Sequence, residues 1–226
     1  MPDSLREAYE QALRQEGYPD FQITEQTADG QLVRAARRPE YVVVSYIEPS
    51  AGNERAVGFD VASAQDRRDA LQRARDTGQP SATGLLTLVQ ESSRQVGLLV
   101  FLPIYGQGLP RTTVEERRRS LHGYVTAVFR IDDTVEASLQ GAEWEGMALR
   151  IEDEAAPPAQ RVLYESRGRV LGGTRAVFEH EHRENPTGIH WHATMELAGR
   201  RWRLRLAPTL EYGGLPPRRD RPVRHH

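Results

Sequence analysis

Apolar positions along the chain switch between helical and alternating spacing, and each switch marks a short element. Leu5, Ala8, Tyr9, Ala12 and Leu13 recur at helical spacing behind a Ser4/Glu7 capping-box pair and ahead of Gly17, which predicts a first helix. Residues 21–26 and 31–36 flank Asp29-Gly30 and predict a hairpin, and the Val- and Tyr-rich run 41–47 predicts a buried strand. After a loop at 49–53, Ser63 with Asp66 predicts a second helix through Ala70, Leu71 and Ala74 that Gly78 closes. Residues 85–91 and 96–105 predict two strands of a hairpin turning at 92–95. Thr112 or Thr113 caps a short helix with Glu115 and Glu116 in its first turn and Arg117, Arg118 and Arg119 at its end, the order a helix dipole favours. Residues 124–130 then predict a strand, and Asp132 or Asp133 starts a helix to about Leu139 that bridges to a second unit. Strands follow at 147–152, 161–165, 176–182, 188–197 and 200–206, the last two joined by Ala198-Gly199. The Pro- and Arg-rich tail beyond Pro208 has no periodicity and is expected to be extended or poorly ordered.

This order suits a small α+β sensor-like fold with helices and ligand on one sheet face. The expected units are 1–140, 141–210 and a tail at 211–226. A doubly wound fold is disfavoured, because strands and helices do not alternate regularly and no G-x-G-x-x-G is present.

Composition narrows the chemistry. All 30 basic residues among the 226 are Arg, and there is no Cys. Disulfides, thiolate nucleophiles, zinc–cysteine sites, Schiff-base lysines and a P-loop are therefore excluded. A net charge of −2 draws the chain neither to nucleic acid nor to anionic membrane. The longest apolar run, 96–104, falls short of the roughly 20 residues a membrane span needs, and no signal peptide opens the chain.

His180 with His182 and His190 with His192 could converge on zinc or nickel from two strands. A simpler expectation is that Ile189, Trp191, Ala193, Met195 and Leu197 form a buried apolar face, leaving the histidines in solvent with cross-strand Glu–Arg pairs. The arginines at 37–38, 67–68, 73, 75 and 117–119 interleave with acids and read as solvated helical ion pairs. Asp132-Asp133 reads as a helix cap, and His122, after an Arg run, as a group capping helix-end carbonyls. No nucleophile-and-base motif is present. Asp60 stands apart, an acid inside the apolar stretch 56–63 just before a helix. Two readings stay open: a carboxylate bonding backbone amides in an irregular turn, or the polar anchor of an apolar ligand pocket lined by strands 85–91 and 96–105.

Seven ordered motifs between Ala8 and Leu139 resemble the CHASE domain, the extracellular sensor module of bacterial and plant histidine kinases and of bacterial diguanylate cyclases. They include Tyr41-Val-Val-Val-Ser-Tyr-Ile-Glu-Pro, Val57-Gly-Phe-Asp-Val-Ala-Ser63, Arg73-Ala-Arg-Asp-Thr-Gly78, Leu88-Val-Gln-Glu91, Phe101-Leu-Pro-Ile-Tyr105, Thr113-Val-Glu-Glu-Arg117 and Gly123-Tyr-Val-Thr-Ala-Val-Phe-Arg130. The part after Leu139 is similar to the membrane-proximal region of such receptors, more weakly. The resemblance implies two tandem PAS-like units, membrane-distal and membrane-proximal, behind a stalk helix truncated here, in a receptor that works as a homodimer. It implies a periplasmic or extracellular ectodomain cut from an inner-membrane receptor whose kinase or cyclase lies elsewhere. In plant members the distal unit binds cytokinins, N6-substituted adenines; Asp60 matches the carboxylate that bonds the purine and Ala82 the residue whose backbone contacts it. Phe59, Leu88, Val89, Leu99 and Phe101 are the expected apolar lining, from the strand pattern, and Glu91 also faces the site. The plant segment around Ala82 and Thr83 is bulkier and has a small hydroxyl residue where Glu91 stands, so pocket volume and polarity differ from those of cytokinin-binding members.

The expected function is a non-enzymatic ligand-binding sensor for an adenine-type cytokinin or another purine-like or amino-bearing small molecule. No cofactor and no nucleic-acid partner are expected. Two alternatives stand beside it: a ligand-free structural or protein-interaction module that relays a partner's state, and a metal-dependent sensor using the histidine pairs.

Overall fold

The computed structural model describes residues 1–88, 96–140, 147–166 and 191–208, which form a mixed α/β structure with three small antiparallel sheets. The chain divides into two units, Met1–Ile131 with Leu197–Arg200, and Asp132–Glu196 with Arg201–His226.

In the first unit a 3-10 turn at Asp3–Leu5 runs into helix α1, Arg6–Gln15. The turn takes up Ser4, so the expected capping box does not form, and Glu7 instead accepts from Arg37 at 3.0 Å. Strands β1, Thr24–Gln26, and β2, Leu32–Arg34, pair as expected about a turn holding Gly30 at φ +87°. The 41–47 run is not the regular strand expected. It follows the 58–61 segment through single bonds, Val44 N–H to Phe59 O at 3.0 Å, Gly58 N–H to Val44 O at 2.9 Å and Val61 N–H to Val42 O at 2.7 Å. Gly58, at φ +85°, and the 3-10 turn Val61–Ser63 break the partner's pleat. A Cβ at Gly58 would lie 2.7 Å from Gln22 O, so the chain crosses there only without a side chain.

Helix α2, Gln65–Thr77, ends as expected at Gly78 in the left-handed region, whose N–H returns to Ala74 O at 2.8 Å. Its start again lacks the expected cap, because Ser63 closes the 3-10 turn and the N-cap is Ala64. Strands β3, Ser81–Ala82, and β4, Leu86–Thr87, lie along one edge of β5, Val96–Tyr105. The turn expected at 92–95 lies outside the described residues, as do Val89 and Glu91. Helix α3, Val114–Ser120, carries a complete capping box between Thr113 and Glu116 and leads into β6, Leu121–Arg130, which pairs with the other edge of β5. Helix α4, Ile131–Leu139, follows.

Apart from Leu197 and Arg200, which belong to the first unit, the second unit holds a sheet of β7, Met147–Asp153, β8, Val162–Glu165, β9, Trp191–Leu197, and β10, Arg200–Pro208, in the order β8-β7-β10-β9. The strand expected at 176–182 lies outside the described residues. The expected cross-strand pairing appears between Arg201 and Glu196 at 3.3 Å, and Arg203 pairs instead with Glu154, just past β7, at 2.5 Å. The apolar face of β9 is not buried as expected, since Trp191 is 52% and Met195 41% exposed. Among the described residues β9 is an edge strand of this sheet, with a neighbour on one side only.

Candidate functional site

Alternation along β5 directs Leu99 and Phe101 toward α2, whose buried stripe includes the small residues Ala70 and Ala74 and lets the helix lie close. Phe59, Val61, Leu71, Leu86 and Leu88 complete one buried cluster. Four expected lining residues, Phe59, Leu88, Leu99 and Phe101, are thus brought together. Tyr124 of β6 meets Phe101 edge-on, with ring centroids 6.2 Å apart, and donates to Leu71 O at 3.1 Å. Burial pushes its phenol up to about 12.

Asp60 lies between two members of this cluster and is fully buried. Its Oδ1 accepts from Val42 N–H at 2.9 Å and Ala62 N–H at 3.1 Å, and its Oδ2 accepts from Arg38 at 2.9 Å. Arg38 also pairs with Glu25 and approaches the Tyr41 ring at 5.9 Å. Burial raises the Asp60 carboxyl above the usual range, against the pull of the two amides and Arg38. The carboxylate therefore ties the 3-10 turn, the 41–47 run and Arg38 together. A carboxylate offers about four acceptor positions, so one on Oδ2 remains.

Ala82 is also fully buried, and its backbone is engaged within the chain. Its N–H donates to Ala198 O at 2.9 Å, and its C=O accepts from Arg73 at 3.0 Å.

Three arginines are drawn out of solvent, and two of them, Arg38 and Arg67, depart from the expected solvated pattern. Arg6 is 2% exposed and bonds Glu10 at 3.1 Å, while Glu10 also accepts from Ile23 N–H at 3.1 Å and from Arg34 at 2.9 Å. Although burial opposes it, these donors hold the Glu10 carboxyl below its ordinary range. Arg38 is half-buried at Asp60. Arg67 is 5% exposed and lies 5.2 Å over the Phe59 ring; among the described residues its guanidinium gives one bond, to Thr87 O at 3.2 Å, and its Nε has no partner. Burial lowers its pKa. The sequence held a signal for two of these. Arg67 stands three and four residues before Ala70 and Leu71, and Arg6 and Glu10 share a stripe with Leu13, so all three sit where an apolar residue belongs. Ion pairing holds for Arg75 and Arg118, which pair with Asp76 and hold it far below the usual carboxylate range, whereas Arg68, Arg73 and Arg117 bond backbone carbonyls.

His192 is exposed on β9, while His180, His182 and His190 lie outside the described residues. Among the described residues no three metal-ligating side chains come together. His122 directly follows the C-cap of α3 and lies exposed in β6. On the opposite face of β5 an open apolar groove of about 460 Å³ is lined by Pro80, Val100, Ala127, Phe129 and residues 197–199. Leu102, Ile104 and Val125 continue that face with 44%, 42% and 54% exposure. No helix among the described residues is long and apolar enough to cross a membrane.

Comparison with known proteins places this geometry in context. The family model for the CHASE domain matches residues 1–164. Hybrid signal transduction histidine kinase A of Dictyostelium discoideum is 26% identical over 197 residues, 82% of this chain. Probable histidine kinase 4 of Oryza sativa subsp. japonica is 33% identical over 98 residues, 43% of this chain. The matched stretch spans 9% of the length of each relative.

Proposed function

We propose a sensing role from one premise: this chain belongs to the CHASE domain family. CHASE domains are the extracellular sensor domains of signalling receptors, and the relatives are histidine kinases whose kinase activity lies outside the matched stretch. On this reading the first unit binds a small molecule and passes the bound state to a kinase or cyclase output of the intact receptor. That receptor is anchored in the inner membrane, with this chain on its periplasmic or extracellular side, and acts as a homodimer of tandem PAS-like units. The candidates for the ligand are an adenine-type cytokinin and other purine-like or amino-bearing compounds.

The observation that carries the reading is the setting of two buried charged groups, Asp60 and Arg67, against the cluster of Phe59, Leu88, Leu99 and Phe101. An apolar interior with few polar groups is how small-molecule sites are built. Asp60 retains one acceptor position for a ligand N–H, and the second lone pair of the Ala82 carbonyl offers another. Calorimetry and thermal shift with N6-benzyladenine, free amino acids and short peptides test it. Asp60→Asn is the informative variant, since an amide oxygen still accepts from Val42 and Ala62 while the charge is gone. A saturable ligand that loses affinity in Asp60→Asn supports the site, and no saturable ligand in any class overturns it.

The exposed strip of Leu102, Ile104 and Val125 favours a second reading, a module that relays a partner's state without a small molecule. Failure of every small molecule, with self-association of the chain that Val125→Asp abolishes, would favour it.

A further inference from the structure

We infer that the ligand of the first unit carries a single carboxylate and that Arg67 pairs with it, an assignment that rests on the ligand-binding reading above. Arg67 occupies the first position of the buried stripe Arg67, Ala70, Leu71 and Ala74, on the side of α2 that meets the apolar cluster. It is 5% exposed. The guanidinium lies over Phe59 at 5.2 Å. A guanidinium set over a ring keeps its N–H donors for other partners. Of these, Nη2 bonds a neutral carbonyl, Thr87 O at 3.2 Å, and Nε bonds nothing among the described residues. No described carboxylate forms an ion pair with it. The neighbouring Asp66 is exposed and accepts from the Arg67 backbone N–H at 2.8 Å.

The contrast with its fellows is chemical. Arg6 faces Glu10, and Arg38 faces Asp60 and Glu25. A charge taken out of water without a counter-charge is strongly unfavourable, whereas an arginine edge and a carboxylate match in charge and in fork geometry. One guanidinium in an apolar setting fits one negative charge on an apolar body and leaves a second charge, as on a phosphate, unpaired. The substrate class is therefore an apolar or aromatic monocarboxylate.

The test uses the whole chain with matched probes: benzoate, phenylacetate and indole-3-acetate against benzamide, phenylacetamide and indole-3-acetamide, with N6-benzyladenine as an uncharged purine. At least one acid is expected to raise the melting temperature where its amide does not. In Arg67→Met that shift disappears and affinity falls by about 30-fold or more, as truncating one member of a buried charged pair does. Arg67→Lys, which keeps the charge without the fork, recovers part of it. Without ligand, Arg67→Met is expected to melt at or above the parent temperature, since an uncompensated buried charge has been removed. A merely structural Arg67 gives the opposite: Arg67→Met melts lower and the acids bind as before. Equal binding of acid and amide, or stabilisation by no acid, overturns the assignment. If N6-benzyladenine binds while no acid does, only this inference falls; if no probe of either class binds, the ligand-binding reading falls with it.

Discussion

Removing Arg38 isolates what the buried carboxylate of Asp60 costs the fold. In Arg38→Met, Asp60 keeps the amides of Val42 and Ala62 but loses its only described ion-pair partner in a site with no exposure. Breaking a buried pair from one side costs about 3–5 kcal/mol. Arg38 retains 22% exposure, and Asp60 keeps two donors, so the lower end, about 3 kcal/mol at pH 7, is expected. Glu25, also 22% exposed, can turn to solvent and adds little. The pH dependence carries the sharper test. Burial already raises Asp60 above its ordinary 3.8, and loss of Arg38 raises it further. A raised folded pKa means the native state holds its proton to higher pH than the unfolded chain does. The penalty is then complete above the folded pKa and shrinks as pH falls toward the unfolded value near about 3.9. Urea unfolding followed by circular dichroism at pH 7 and pH 4 reads it directly. In Arg38→Met/Asp60→Asn the buried charge is absent, and most of the loss should be recovered, with a coupling of about 2 kcal/mol. Equal losses at the two pH values, or strict additivity in the double variant, would refute the reasoning.

Three further outcomes are expected. Glu10→Gln leaves Arg6 buried without a counter-charge and should lose about 3–5 kcal/mol, with Arg14 and Arg34, 40% and 53% exposed, adding little. Because Glu10 is held below its ordinary value, its stabilisation is present above the unfolded pKa and lost as pH falls through the folded one. Acid unfolding curves of Glu10→Gln should therefore be shallower below about pH 4.5. Thr113→Ala removes the α3 cap and should cost about 1 kcal/mol, visible as faster amide exchange at Glu116. Gly58→Ala meets both a φ of +85° and Gln22 O at 2.7 Å, and should lose about 2 kcal/mol or more in urea unfolding.

What the sequence disclosed was local. The Asp29-Gly30 hairpin, the Gly78 stop, the Thr113 start and the β5 alternation each depend on residues within a few positions of one another. Both failed helix starts have one cause. Ser4 and Ser63 each belong to a 3-10 turn that precedes the α-helix, and a capping pattern does not distinguish the two kinds of turn. The 41–47 run was legible as extended and apolar, but its partner is broken by Gly58 and a turn, which no periodicity announces. Long-range polar ties were invisible. Asp60 meets Val42 and Arg38 across 18 and 22 residues, and Arg6 meets Tyr41 across 35.

Buried arginines are hard to read from sequence for a related reason. An acid nearby in sequence suggests a solvated pair, yet Asp66 reaches the backbone of Arg67 and not its guanidinium. The decisive pattern was the apolar stripe that Arg67 begins. This bears on how the motif around Asp60 should be weighed. Its acid already holds two amides and a guanidinium, so a ligand N–H there adds to a nearly complete set. The arginine seven residues later is buried, with its Nε unbonded among the described residues. A ligand gains most where the free chain is least satisfied, since a group already bonded must be matched before it can be improved. On that ground the proposed ligand would gain more at Arg67 than at Asp60, which also shapes the turn carrying Phe59.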